Sequence, residues 1–149
     1  MTLTKPQPLF FVHIPKTGGT SFRKAAESVF SKDEILYDYN PKAKETSDLI
    51  KRYFYDEGDM FALSQALAET NVRLMSGHIN AARYLPIFGV QNTVSIVRDP
   101  VDQLISHFRH FKRDNGFSGT FEEFADMEKH NAVQSRLLQG VPVEAYRYI

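Results

Sequence analysis

The segment from Leu9 to Ser21 constrains this chain most, because it joins an apolar stretch to an amphipathic helix through a glycine turn. The apolar residues at its start predict a strand that is buried on both faces. Lys16, Gly18 and Gly19 follow this strand. Glycines allow positive φ angles and close backbone approach, and a helix N-terminus carries partial positive charge. The segment therefore predicts an anion-binding turn between a strand and a helix.

The expected ligand of this turn is the 5′-phosphate of a nucleotide. Lys16 supplies a point charge, and the hydroxyl groups of Thr17, Thr20 and Ser21 supply further hydrogen-bond donors. The lysine precedes the glycines, whereas in a Walker A loop it follows the last glycine, so the ordinary ATPase motif is not matched. The alternative interpretation is a plain strand-to-helix connection whose lysine is solvated.

Length and composition indicate one soluble domain that spans residues 1–149, with 42% hydrophobic residues. The 18 basic and 18 acidic residues cancel, so no overall field attracts nucleic acid or an anionic membrane. The lack of cysteine excludes disulfides, thiol nucleophiles and thiolate metal sites. No apolar run approaches the roughly 20 residues of a membrane span, and residues 1–8 lack a signal-peptide pattern. We therefore expect a cytoplasmic protein without a membrane span.

Apolar strands alternate with amphipathic helices along the chain. Strands are expected at Leu9–Ile14, Ile35–Tyr39, Val72–Ser76 and Thr93–Val97. Helices are expected at Ser21–Phe30, Ser47–Tyr55, Met60–Thr70, from Pro100 to near Asn115–Gly116, and at about 131–138. Asp99 and Pro100 predict an N-cap and a first helical residue, and Thr120 with Glu123 predicts a capping box. This order predicts an α/β class, with a P-loop-like three-layer α/β/α arrangement and a mostly parallel central sheet.

Two of these helices have apolar residues at helical spacing, which predicts the faces that they bury. The two expected faces consist of Phe22, Ala25, Ala26, Val29 and Phe30, and of Val101, Leu104, Ile105, Phe108 and Phe111.

A second anion site is expected near the end of the strand at Thr93–Val97. Arg98 follows this strand, and Ser106 lies two helical turns further on, so that an arginine fork and a hydroxyl group could hold a second phosphate. Ligands of parallel sheets bind beyond the carboxyl ends of the strands, where the segments after Ile14, Ser76 and Val97 all lie. The alternative, left open here, is that Arg98 pairs with Asp99 or another surface carboxylate while Ser106 faces solvent.

The histidines differ in what their surroundings predict. His78 follows a strand and a glycine, and it could accept a proton from a substrate hydroxyl because an imidazole titrates near neutrality. Its alternative role is that of a capping or surface histidine. His13 is expected to be packed or hydrogen-bonded near its strand end. His107, His110 and His130 lack partners at metal-ligand spacing, so we expect no metal site.

Taken together, these segments resemble the sulfotransferases that use 3′-phosphoadenosine-5′-phosphosulfate (PAPS), especially the heparan sulfate 2-O- and 6-O-sulfotransferases and their bacterial relatives. Residues 13–21 resemble that family's 5′-phosphosulfate loop, and residues 97–108 resemble its 3′-phosphate segment. Gly77 and His78 fall where this branch carries a catalytic histidine. A downstream family helix is matched by Asn131, Gln134, Leu138 and Gly140.

The resemblance implies in-line transfer of a sulfuryl group from PAPS to a hydroxyl acceptor, with a carbohydrate as the expected acceptor and adenosine 3′,5′-bisphosphate as the product. It implies that Lys16 stabilises the leaving phosphate, without a metal, and that His78 is the base. The residues from Thr17 through Ser21 would hold the 5′-phosphate, and Arg98 with Ser106 would hold the 3′-phosphate.

Two other interpretations stay open. In a P-loop nucleotide or small-molecule kinase, Asp99 would hold Mg²⁺, although its position before Pro100 favours a helix cap. The other alternative is a non-catalytic fragment that binds PAPS or a nucleotide, since members of the family that it resembles continue beyond this length.

Overall fold

The computed structural model describes residues 7–127 and 132–139. Four strands form its sheet, namely β1 (Leu9–Val12), β2 (Ile35–Asp38), β3 (Leu74–Gly77) and β4 (Thr93–Ser95). Their order is β2-β3-β1-β4, and each neighbouring pair is parallel. The predicted α/β class with a parallel central sheet is therefore confirmed.

Helices connect these strands. They are α1 (Gly19–Val29), α2 (Asp48–Ile50), which continues as a π-helical turn (Lys51–Asp56), α3 (Met60–Glu69), α4 (Leu85–Phe88), α5 (Pro100–Asp114), α6 (Phe121–Asp126) and α7 (Val133–Leu137). Short 3₁₀ turns occur at Lys32–Glu34, Ala81–Arg83 and Val90–Asn92. No helix within the described ranges has the length and apolar character needed to cross a bilayer. Residues 128–131 and Gly140, which belong to expected features, lie outside the described residues.

The predicted starts of α5 and α6 are confirmed by their caps. One carboxylate oxygen of Asp99 accepts hydrogen bonds from the N–H groups of Val101 and Asp102. Thr120 and Glu123 form the reciprocal capping box ahead of α6. These contacts satisfy N–H groups that the first helical turn leaves without partners.

The side chains of β1 alternate between two apolar clusters. Phe10 and Val12 pack with residues of α2 and α3, including Leu63, whereas Phe11 packs on the opposite face with Ala26 of α1. Helices thus cover both faces of the sheet, which gives the three layers expected for a parallel sheet.

The expected extent of the last strand was wrong. β4 ends at Ser95, and the exposed residues Ile96 and Val97 lie beyond it. In the described part of the chain, β4 pairs only with β1 and forms one edge of the sheet. The apolar run Thr93–Val97 therefore extends beyond the residues that pair with β1.

The expected buried faces of α1 and α5 also need correction. In α1, Ala25 is exposed and Val29 is 75% exposed, while burial is centred on Ala26. In α5, Val101 is 62% exposed, and the buried residues are Gln103 and His107. The spacing of apolar residues alone does not reveal that α5 buries the polar side chains of Gln103 and His107.

Candidate functional site

The turn between β1 and α1 has positive φ angles at two positions. The φ angle is 67° at Lys16 and 96° at Gly18. This region costs a non-glycine residue roughly 1–2 kcal/mol, so the surroundings must hold Lys16 there. Part of that support comes from the buried Thr17, whose hydroxyl donates to the carbonyl oxygen of Ile14 at 2.9 Å. The Thr17 hydroxyl, expected as a ligand donor, is thus used within the turn.

The start of α1 is shaped for a ligand at its N-terminus. Gly19 lies under the imidazole of His13, and a Cβ at Gly19 would lie 2.1 Å from the ring carbon Cδ2. No side chain among the described residues caps this helix, and the Ser21 N–H donates to the Gly18 carbonyl oxygen at 3.0 Å, so the N–H groups of Gly19 and Thr20 are those that remain for a ligand. Thr20 and Ser21 are exposed in the first turn. The arrangement therefore suits an anion held by backbone N–H groups and hydroxyls.

His78 follows β3 and packs against two aromatic rings. Its ring centroid lies 4.4 Å from that of the buried His13 and 5.0 Å from that of Tyr39. Desolvation, followed by the influence of His13, Arg23 and His107, lowers the pKa of His78 to about 4. Although His78 as a residue is solvent-exposed, its ring is packed, and the lowered pKa leaves the ring neutral at pH 7.

His13 is buried by packing, in accord with one of its two expected roles. Its Nδ1 atom has no hydrogen-bond partner in the described part of the chain. Burial and then the charge of Arg23 lower the pKa of His13 below its ordinary value. Two neutral imidazoles therefore lie side by side at the ends of β1 and β3.

Arg98 lies beyond the end of β4, before the Asp99 cap. Its Nη2 atom is 3.9 Å from an oxygen of Asp102, and both side chains are exposed, so this ion pair is weak. The observed partner is thus Asp102 rather than Asp99. The backbone of Arg98 is held more firmly, since its N–H donates to Gln134 Oε1 and its carbonyl accepts from Gln134 Nε2, both at 2.9 Å.

Helix α5 connects the Arg98 segment to the glycine turn. The buried Gln103 donates through Nε2 to the carbonyl oxygen of Pro15 at 3.0 Å. Ser106 is half-buried three residues further on, which places it on the same side of the helix. A groove of about 300 Å³ between α5 and α7 is lined in part by Gln103 and Gln134. The structure therefore brings the Arg98 segment and the glycine turn together at the carboxyl ends of β4 and β1.

A buried carboxylate supports the neighbouring strand ends. Asp38, at the end of β2, is fully buried. Its oxygens accept hydrogen bonds from Tyr55 Oη at 2.7 Å, Tyr84 Oη at 2.8 Å and Arg83 Nη1 at 3.0 Å. Opposite it in β3 is Gly77, where a Cβ would lie 1.8 Å from the Asp38 carbonyl oxygen. This close pairing fixes the backbone that leads into His78.

Sequence reasoning missed several of these supporting residues. Arg23 belongs to no motif in the sequence, but its Nη1 donates to the Tyr39 hydroxyl at 3.3 Å. Gln103 and His107 carried a usable signal, because polar residues four positions apart share one side of a helix and can mark a polar row there. The position of Asp38 at the end of an expected strand was a similar signal.

Comparison with known proteins gives an independent result. A model of the sulfotransferase family matches residues 1–139. Searches of curated proteins and of solved structures gave no match. The matched range contains the glycine turn, His78, Arg98 and Gln134, and it covers more than nine-tenths of the 149 residues. This chain therefore belongs to the sulfotransferase family.

Proposed function

We propose that this sulfotransferase moves a sulfuryl group from PAPS to a hydroxyl group of a carbohydrate acceptor. The observation that carries the proposal is the meeting of three segments at the carboxyl ends of adjacent parallel strands: the turn after β1, His78 after β3 and Arg98 beyond β4. A donor with phosphate groups at both its 3′ and 5′ positions suits two separate anion sites. The choice of carbohydrate rests on the resemblance to the heparan sulfate branch.

The turn and the start of α1 fit the 5′ end of such a donor. Gly19 leaves no room for a side chain, and the first N–H groups of α1 have no side-chain cap. We assign the backbone from Thr17 through Ser21, with the hydroxyls of Thr20 and Ser21, to the 5′-phosphate. PAPS supplies an activated sulfuryl group, and the Lys16 ammonium neutralises the charge that develops on the leaving phosphate oxygen.

Arg98 and Ser106 are assigned to the 3′-phosphate. A guanidinium presents several N–H donors in a fixed plane that matches phosphate oxygens. The weak, exposed ion pair between Arg98 and Asp102 leaves that fork free to exchange partners. These contacts would distinguish PAPS from a nucleotide with a free 3′-hydroxyl.

His78 is assigned as the general base that accepts the proton of the acceptor hydroxyl. A neutral imidazole is the form that can accept a proton, and the lowered pKa keeps His78 neutral at pH 7. A polyanionic donor bound beside His78 raises its pKa and makes it a stronger base. The packed rings of His13 and Tyr39 hold its orientation.

The proposal is tested by incubating the protein with PAPS that carries radiolabelled sulfate and with a panel of glycans and small alcohols. We expect label in a glycan product, undiminished by EDTA and largely lost in the Lys16→Ala and His78→Ala variants. Lys24→Ala, at an exposed position on α1, is the matched control for lysine removal and keeps activity.

Two outcomes would contradict the proposal. Phosphate transfer from ATP that EDTA abolishes would show a kinase, although the Asp99 carboxylate required for Mg²⁺ already caps α5. Tight binding of adenosine 3′,5′-bisphosphate with no transfer to any acceptor would show a binding protein without this activity.

A further inference from the structure

The backbone of Arg98 is paired with a side chain from a distant part of the sequence. Gln134 lies 36 residues further along, and its amide makes two hydrogen bonds of 2.9 Å with the N–H and C=O of Arg98. A primary amide presents a donor and an acceptor in one plane, as a peptide group does. Gln134 therefore takes the place that a neighbouring strand would occupy in a sheet.

The sheet itself does not hold this segment. β4 ends at Ser95, and the exposed residues Ile96 and Val97 separate it from Arg98. The guanidinium of Arg98 is 3.9 Å from its exposed partner Asp102, so the side chain does little to fix the backbone. The two hydrogen bonds to Gln134 therefore hold the Arg98 backbone more firmly than its side-chain ion pair does.

We propose that Gln134 is a positioning residue that fixes the Arg98 backbone so that the guanidinium meets the 3′-phosphate of the donor. This inference rests on the proposed role of Arg98. The hydrogen bond between Gln103 and Pro15 ties α5 to the glycine turn, while Gln134 ties Arg98, two residues before α5, to α7. Gln134 consequently contributes to the preference for 3′-phosphorylated nucleotides without touching them.

The test compares two nucleotides by calorimetric titration: adenosine 3′,5′-bisphosphate and adenosine 5′-monophosphate. Gln134→Met removes both hydrogen bonds at nearly constant side-chain length. Without these hydrogen bonds the Arg98 backbone must be ordered when the 3′-phosphate binds, which predicts a roughly 10-fold higher Kd for the bisphosphate and an unchanged Kd for the monophosphate. Gln139→Met, at an exposed position shortly after α7, is the matched control and leaves both values unchanged.

A double variant shows whether Gln134 acts through Arg98. If it does, Arg98→Ala combined with Gln134→Met binds the bisphosphate no more weakly than Arg98→Ala alone. Additive losses would overturn the inference. Should Gln134→Met fail to fold, amide hydrogen exchange of the unaltered protein decides: exchange at the Arg98 N–H is expected to be slower than at Val97, and equal rates would overturn the inference.

The titrations separate failure of this inference from failure of the proposed function. If the unaltered protein and Arg98→Ala both bind the two nucleotides equally well, the assignment of Arg98 fails and the role of Gln134 fails with it. If the unaltered protein prefers the bisphosphate and Gln134→Met keeps that preference, only the inference is overturned. Equal losses for both nucleotides in Gln134→Met would show a general structural role and would also overturn it.

Discussion

Lys16 combines a positive charge with a backbone conformation that an ordinary side chain avoids. Its φ angle of 67° lies in the left-handed region, which glycine occupies without cost. A glycine at position 16 would adopt this φ angle without strain, so the backbone conformation does not explain why a lysine is present. Strain of this kind is concentrated at functional sites, which agrees with the proposed role of the ammonium.

Removing the Lys16 side chain should therefore separate activity from stability. Because Lys16→Ala loses a charge that acts at the transition state, we expect kcat to fall roughly 10²- to 10³-fold. Lys16→Gly should lose as much activity while unfolding at the same or a higher temperature, since it relieves the strained φ angle. Transfer assays and thermal unfolding measure the two effects. A Lys16→Gly variant with ordinary turnover would contradict the assignment.

The pairing of β2 with β3 leaves no space for a side chain at Gly77. A Cβ there would lie 1.8 Å from the carbonyl oxygen of Asp38, and this oxygen belongs to the backbone of the neighbouring strand. We expect Gly77→Ala to lower the free energy of unfolding by at least about 1–3 kcal/mol, because the strands must separate locally. Urea unfolding measures this loss.

Gly58→Ala is the comparison for a purely conformational effect, because Gly58 has a positive φ angle and Gly77 does not. Gly58 has a φ angle of 65°, but a Cβ there meets no atom within 4 Å. The control should therefore lose only roughly 1–2 kcal/mol. If Gly77→Ala were no less stable than the unaltered protein, the close pairing described at the end of β3 would be wrong.

Secondary structure was predictable where its signals are local. The glycine turn, the Asp99 cap and the Thr120 capping box each lie within a few residues of the element that they start. The end of β4 was not predictable in this way, because it depends on how much of β1 is available for pairing. Nor was the polar row of α5, since Gln103 is buried by a contact with Pro15, 88 residues away.

The candidate site likewise combines features that local sequence predicts with contacts that it does not predict. The positions of Lys16, His78 and Arg98 at strand ends follow from the alternation of strands and helices. The surroundings of these residues come from elsewhere in the chain: Tyr39 beside His78, and Gln134 beside Arg98. Contacts between distant segments depend on the tertiary fold, so no local pattern indicates them.

Acid should destabilise the whole molecule through the packed imidazoles of His13 and His78. The pKa of His78 is lowered to about 4 and that of His13 is also lowered, whereas an unfolded histidine titrates near 6.5. Between these values the unfolded chain binds more protons than the folded one, so stability is greatest above pH 6.5 and falls on acidification. We expect the urea midpoint to decrease from pH 7 to pH 5.

His78→Gln tests the source of this decrease, because it removes one of the two titrating rings. Its urea midpoint should depend less steeply on pH over the same interval, above the range in which most carboxylates titrate. Identical pH dependence in the variant and the unaltered protein would show that His78 does not contribute.

The strand order also governs when the glycine turn after β1 can form during synthesis. β1 comes first in the chain, yet its partners are β3, with Leu9 opposite Leu74, and β4, with Phe10 opposite Thr93. Until β3 and β4 have left the ribosome, β1 has no strand beside it. Pairings between strands so far apart in the sequence form late. A nascent chain thus completes the strands beside β1 only after residue 95 has left the ribosome, and until then β1 is an unpaired apolar segment of the kind that chaperones bind.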